Sequence, residues 1–481
     1  MRYGIVAKVL GSILVIESGL LAFPLFISVY YREASVNAFL ITILLTGVSG
    51  FLLTQIKTSS KSIKAKEGIM IVTFGWILIS VFGAMPLYMT GSVSTFVDAL
   101  FETISGFTTT GASVILDVES LSKGILFWRS FTHWIGGMGI LVFTLALLPT
   151  LGIGSMQIFK AETPGPFAGK MAPRMKDTAR VLYITYLSLT LVEILFLLVG
   201  GVSLFDAALF TFGTVGTGGF APYNDSLARF GSHIHIIVSI FMVFAGVNFS
   251  LHYLFYKGRF RVILHDSEFK LYIKFIVVAV LLIAVDLYVV EYDSFLYALR
   301  DSLFQTTSIM TTTGFSTVDF QLWPTFSKMI LLGLMFVGGS AGSTAGGMKV
   351  IRVLIIFKLI KRELSKTFHS RALIPIKLGG KAISNESVAG VYSFLGLHIL
   401  VFLVGTILVS LDRVDMITAI SSSAATLNNI GPGFHLVGPT STYGHFSDFS
   451  KLVFCVLMLL GRLELFTIIA LFVPKSWTKE S

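Results

Sequence analysis

Long apolar runs separated by short polar turns dominate this chain. The runs at about 6–30, 37–56, 68–90, 124–150, 181–202, 233–256, 270–290, 327–360, 387–411 and 449–473 are each long enough to cross roughly 30 Å of hydrocarbon as a helix. Four further apolar stretches, at about 95–107, 203–213, 296–310 and 414–426, are too short to cross. Each leads into a polar turn ending in glycine: Thr108-Thr109-Thr110-Gly111, Gly216-Thr217-Gly218-Gly219, Thr311-Thr312-Thr313-Gly314 and Asn428-Asn429-Ile430-Gly431. The short stretches predict re-entrant half-helices. Non-helical backbone at membrane depth is tolerated only when buried in protein or lining a water-filled cavity, so the four turns are expected to face a common pathway.

After two leading spans, the order helix, half-helix with glycine turn, helix recurs over about 67–150, 180–260, 268–365 and 384–475. An aspartate opens each short stretch. Asp98 to Gly111, Asp206 to Gly219 and Asp301 to Gly314 are each 13 residues, whereas Asp415 to Gly431 is 16. No single turn surrounds an ion, so such repetition implies pseudo-fourfold packing about an axis. The expected fold is an all-α polytopic membrane protein with two leading helices and four helix/re-entrant pore-loop/helix repeats. The expected division is 1–60 for the leading helices, then 61–158, 159–262, 263–372 and 373–481 for the repeats. The aspartates are expected to cap the half-helices, placing the partially negative helix ends toward the ion.

Composition agrees with this pattern. Of 481 residues, 54% are apolar and 13% charged, far from a soluble globular balance. The net charge of +10 sits mainly between spans: Lys57, Lys61, Lys64 and Lys66; Lys160, Lys170, Arg174, Lys176 and Arg180; Lys257, Arg259 and Arg261; and Lys349 through Lys381. All of these fall on one side if the N-terminus is cytoplasmic, so the charge is read as topology rather than nucleic-acid binding. The single cysteine, Cys455, excludes an internal disulfide. The first span, with Lys8, Glu17 and Pro24 and no small-residue cleavage site, is expected to be retained.

Four turns in register, Trp128-Arg129-Ser130, Trp134-Ile135-Gly136-Gly137-Met138-Gly139, the segment Gly338 to Gly347, and Asn428 to Gly433 together resemble the membrane subunit of the bacterial Trk/Ktr potassium-uptake family over nearly the whole chain. The two extra leading spans place it with the family's longer members.

A potassium ion sheds its hydration shell only where several carbonyl and hydroxyl oxygens are presented together without a strong anionic trap. The turns supply these and contain no carboxylate. The filter is therefore expected at Thr109, Thr110, Gly111, Thr217, Gly218, Gly219, Thr312, Thr313, Gly314, Asn429, Ile430 and Gly431. In the second turn Gly216, Gly218 and Gly219 compete; the 13-residue offset, and Phe220 matching Phe315, favour Gly219. In the wider family a serine in the first turn accompanies sodium permeation, so the resemblance makes Gly111 a pointer to potassium.

The run at 327–360 is interrupted by Gly338, Gly339, Ser340, Ala341, Gly342, Ser343, Thr344, Ala345, Gly346 and Gly347, which have no large side chains to lock a helix and five glycines to weaken one. A tight helix-crossing surface is the alternative. The resemblance implies a gating loop crossing the ion path. Arg462 is expected inside the last span; by resemblance it faces the pore and holds the loop shut, with a pair to Glu464 as the alternative. Arg129, His133 and Trp134 are expected either to brace the filter turns or to anchor at the interface. Glu193 and Asp286 should pair between helices. Lys349, Arg352, Lys358, Lys361 and Arg362 form a basic extension of the gating helix.

The resemblance implies a potassium-uptake pore subunit in the bacterial inner membrane, with cytoplasmic termini. It also implies a homodimer docked on a cytoplasmic nucleotide-binding ring similar to TrkA. No cofactor is expected in this chain: it lacks a phosphate-binding Gly-x-x-x-x-Gly-Lys-Ser/Thr string. Proton- or sodium-coupled symport is the rival reading, with Glu193, Asp286 and His133 as coupling candidates. An embedded enzyme would need paired carboxylates, histidine clusters or an activated nucleophile, and none stands at useful spacing.

Overall fold

The computed structural model describes residues 3–58, 63–139, 175–369 and 374–472. The leading hairpin consists of α1 (Tyr3–Leu20), α2 (Ala22–Tyr30) and α3 (Ser35–Thr54). Gly11 and Gly50 face one another across it, so closely that a Cβ on either would meet the other's carbonyl oxygen, the small-residue contact typical of membrane helices. Next come α4 (Ala65–Gly83), α5 (Met85–Met89), α6 (Phe96–Phe107) and α7 (Lys123–Gly137). Glu33, just ahead of α3, accepts hydrogen bonds from the free N–H groups of Lys123 (2.5 Å) and Gly124 (3.0 Å) at the start of α7, docking the hairpin on the following unit.

The middle of the chain forms α8 (Met175–Val199), α9 (Leu204–Gly216), α10 (Ser232–Ala245), α11 (Phe249–Tyr256), α12 (Phe260–His265), α13 (Ser267–Val290), α14 (Phe295–Met310), α15 (Thr325–Met335) and α16 (Val350–Phe368). A two-stranded hairpin, β1 (Lys377–Leu378) and β2 (Lys381–Ala382), precedes α17 (Asn385–Val409), α18 (Met416–Leu427), α19 (Asp448–Arg462) and α20 (Leu465–Ile469). Side-chain caps start several of these: Asp266 accepts from Phe269 N, Ser384 from Ser387 N and Ser447 from Ser450 N, relieving the unpaired N–H groups of the first turn.

The fold is an all-α polytopic one in which α6, α9, α14 and α18 are four short buried helices, enclosed by longer ones with lipid-ready apolar faces. Beyond the one-residue breaks at Leu21 and Ala84, three expected spans are interrupted among the described residues, one of them, 327–360, where its glycines predicted. The run 233–256 bends by 101° between α10 and α11. The run 327–360 is open between Met335 and Val350, and 449–473 breaks at Leu463 and Glu464. Among the described residues, six helices are long and apolar enough to cross a bilayer, or seven with the bent pair. Broken spans survive because tertiary partners satisfy the freed backbone. The part of 124–150 beyond residue 139, the basic residues Lys61, Lys160, Lys170 and Arg174, and the boundaries at 60/61, 158/159 and 372/373 lie outside the described residues.

Candidate ion pathway

Each of the four short helices ends in the same way. The N–H of Thr110 bonds to Ser105 O (2.8 Å), Gly218 to Gly213 O (2.8 Å), Thr313 to Ser308 O (2.9 Å) and Ile430 to Ala425 O (2.8 Å), closing the six-to-one turn of a Schellman motif. The residue before each donor is left-handed: Thr109 at φ 54°, Thr217 at 56°, Thr312 at 58° and Asn429 at 55°. Glycine normally takes that position, and a β-branched threonine there is strained. Two residues later a glycine again has positive φ: Gly111 at 80°, Gly219 at 81°, Gly314 at 83° and Gly431 at 96°. In the second turn the equivalent glycine is therefore Gly219.

These glycines close a ring. A Cβ on Gly111 would collide with the carbonyl oxygen of Gly218, one on Gly219 with that of Thr313, one on Gly314 with that of Ile430, and one on Gly431 with that of Thr110. Each turn thus presses its glycine on the peptide preceding the next turn's glycine, and the fourth returns to the first. The threonines and asparagines of all four turns are inaccessible to solvent. A cavity of about 150 Å³, lined by Gly111, Gly219, Gly314 and Gly431, opens on the ring. Gly431 differs from its counterparts, because Tyr443 Oη donates to its carbonyl at 2.8 Å.

A buried polar frame holds the ring. Glu102 on α6 pairs with Arg129 on α7 at 2.6 Å, with both side chains no more than 3% exposed. The same carboxylate accepts from Ser113 Oγ (3.0 Å) and Val114 N (3.0 Å), just past the first turn. The Arg129 guanidinium stacks 4.2 Å from the Phe220 ring centroid. His133 bridges two units: Nδ1 meets Gly106 O at 2.8 Å, and Nε2 accepts from Phe220 N at 3.1 Å. A carbonyl only accepts and an amide only donates, so the imidazole is the neutral Nδ1–H tautomer. Trp134 Nε1 donates to Thr190 Oγ1 (3.1 Å) on α8. Glycines let α7 come this close, since a Cβ on Gly136 would strike Phe107 O and one on Gly216 would lie 2.6 Å from His133 O.

Residues 336–349 run beneath the third and fourth turns. Gly346 N donates to Thr312 Oγ1 at 2.7 Å, and a Cβ on Gly346 would approach Asn428 O to 2.7 Å. Arg462, at the end of α19, donates through Nη1 to Thr344 O (2.8 Å) and through Nη2 to Gly137 O (3.1 Å) and Gly136 O. Its neighbour Glu464 pairs with Arg352 of α16 at 2.7 Å, so the two belong to different contacts. Lys349 Nζ donates to Ala345 O. Ser340 N bonds to Gly246 O (2.9 Å), and Phe249 N to Gly342 O (3.0 Å), at the bend between α10 and α11.

The twelve turn residues therefore meet in one ring, and the loop and Arg462 meet just below it. The capping expectation needs correction. Only Asp415 is itself a cap, accepting from Thr418 N at 3.0 Å. Asp98 and Asp206 lie in first turns capped by Thr95 and Ser203, where Asp98 also pairs with Lys451 (2.6 Å). Asp301 lies deeper because α14 starts at Phe295, and it pairs with Arg300 (2.7 Å). Asp286 accepts from Ser327 Oγ (2.6 Å) on α15, while Glu193 lies buried beside Thr214 of α9. Sequence reasoning missed Glu102, Tyr443 and Glu268. An acid amid the apolar residues of a half-helix was the available signal for Glu102; Tyr443 and Glu268 gave none.

A ring of backbone turns free of carboxylates, inside a polytopic helical protein, is architecture for moving a cation. The family model TrkH, described as a cation transport protein, matches residues 31–479. The chain is 37% identical over 484 residues to the Trk system potassium uptake protein TrkH of Escherichia coli (strain K12), covering 99% of this chain and 100% of that protein. It is 38% identical over 489 residues to the protein of the same name from Vibrio parahaemolyticus, again covering 99% and 100%. The crystal structure of the potassium transporter TrkH from Vibrio parahaemolyticus matches with a TM-score of 0.89 at 35% identity, over 99% of this chain and 100% of that one. The chain belongs to the TrkH family, a family of transporters and not of enzymes.

Proposed function

We propose that this chain is the pore-forming subunit of a potassium-uptake system, passing potassium through the ring of four turns. The observation that carries the reading is the ring closure itself, in which each glycine abuts the next turn's carbonyl. The ion-lining set is Thr109, Thr110, Gly111, Thr217, Gly218, Gly219, Thr312, Thr313, Gly314, Asn429, Ile430 and Gly431. Backbone oxygens at close quarters replace lost water without trapping the ion. Relatives named potassium uptake proteins support potassium as the ion.

The loop from Gly338 to Gly347 is the gate, with Arg462 as its lock and as an electrostatic barrier beneath the ring. Its hydrogen bond to Thr344 O supports this role. Each repeat, within the limits 61–158, 159–262, 263–372 and 373–481, contributes one turn. The protein works as a homodimer in the bacterial inner membrane with both termini in the cytoplasm, regulated by a nucleotide-binding ring similar to TrkA. The positive loops support the orientation, and the Trk-system relatives support the partner.

Rubidium and sodium uptake into proteoliposomes holding the purified protein tests this reading. Downhill rubidium flux without an imposed proton or sodium gradient is expected, with selectivity relaxed by Gly111→Ser and flux raised by deleting Gly338 to Gly347. Flux that requires a coupling gradient and ignores both changes would favour a symporter.

A further inference from the structure

Glu268 carries a carboxyl group, yet it is only 8% exposed at the start of α13. A buried carboxylate is costly unless hydrogen-bonded. Its partners are backbone groups far along the chain. A single oxygen, Oε1, accepts from Ala341 N at 2.7 Å and from Ile351 N at 3.1 Å. Ala341 lies in the loop beneath the ring, and Ile351 is the second residue of α16. The Ile351 N–H belongs to a helix's first turn, which has no internal acceptors and carries the positive end of the dipole.

We infer that Glu268 is a gate-positioning residue: it ties the loop and the start of α16 to α13, so that the loop leaves the path only when α16 moves. This rests on the loop being the gate. Arg462 grips the loop by a carbonyl from the side of α19, and Glu268 grips it by an amide from the side of α13. One oxygen serves both amides, so a displacement of α16 that breaks the Ile351 bond also disturbs the Ala341 bond. The basic, partly exposed remainder of α16 thereby has a direct mechanical route to the loop. Asp266, two residues earlier, makes no such link: its carboxylate accepts from Phe269 N (2.7 Å) within α13.

The test is rubidium flux into proteoliposomes holding the full-length protein, with elution volume and melting temperature recorded for each variant. Losing two hydrogen bonds from the closed arrangement is expected to raise flux roughly tenfold in Glu268→Ala. Glu268→Gln, which keeps an acceptor oxygen, should raise it by less, and Asp266→Ala should match the wild type. In protein lacking Gly338 to Gly347, Glu268→Ala should add nothing. A merely structural glutamate would lower flux and melting temperature together. Wild-type flux in a folded Glu268→Ala, while the loop deletion still raises flux, would overturn the role of Glu268 and leave the gate standing. If the deletion itself has no effect, the gate reading falls first. Should Glu268→Ala fail to fold, unchanged flux in Glu268→Gln would overturn the inference.

Discussion

Thr109, Thr217, Thr312 and Asn429 take a backbone conformation that disfavours any side chain by roughly 1–2 kcal/mol. Such strain persists where surrounding structure over-determines it, and it concentrates at functional sites. The glycines two positions on have no slack at all. Gly219→Ala places a methyl against Thr313 O, so it should reduce rubidium flux at least about tenfold through a displaced turn; normal flux in a folded variant would contradict the tight ring. Arg129→Met leaves the buried Glu102 carboxylate without its cation. Loss of one partner of a buried pair costs roughly 3–5 kcal/mol, so the melting temperature should fall and sodium should gain on rubidium. The turn residues themselves were legible because four similar strings recur at one spacing. Their frame was only half legible. Arg129 and His133 stood out as polar residues in an apolar run, but Glu102, Tyr443 and Glu268 reach partners between 11 and 83 residues away, and hydropathy carries no such information.

At the scale of elements, the half-helices follow from length alone: 95–107 became Phe96–Phe107 and 296–310 became Phe295–Met310. The break in 327–360 was legible in its glycines, but those near Gly246 and Leu463 were not, because these bends keep the hydropathy of a straight helix. Asn248 caps α11 by accepting from Ser250 N (2.8 Å), and His252 Nε2 reaches Phe244 O (2.9 Å), so the elbow between α10 and α11 is satisfied locally. The break after Arg462 frees that side chain to reach Thr344 O. Arg462→Ala should raise rubidium flux several-fold, as the loop deletion does, and the two together should exceed either by little. Strict additivity would argue against a shared gate. The cap of α18 gives a pH prediction. Burial raises the Asp415 carboxyl, but hydrogen bonds from Thr418 and His435 outweigh it and hold it near 2, below the ordinary 3.8. A depressed carboxyl stabilises above its unfolded value and loses that contribution as pH falls through the folded one. The melting-temperature gap between wild type and Asp415→Asn should therefore persist at pH 4 and close toward pH 2. A gap that widens with acid would contradict the capping geometry.

For the whole molecule, the ring joins residues from four chain segments spanning Thr109 to Gly431, so no segment alone forms it. Each unit also braces its neighbours: α6 pairs with α19 through Asp98 and Lys451, and α7 reaches the second turn through His133. The same architecture brings the loop proposed as the gate against the third turn of the ring, through the 2.7 Å bond from Gly346 N to Thr312 Oγ1. Rearranging the loop thus alters a hydrogen bond of the third turn, which predicts that opening and ion occupancy influence one another. The most direct test of the central claim is to locate the ion. Crystals grown in rubidium should give an anomalous peak on the axis between the four turns, and that peak should vanish when sodium replaces rubidium. Rubidium bound only away from the ring, beside buried carboxylates such as Glu193, would contradict the account.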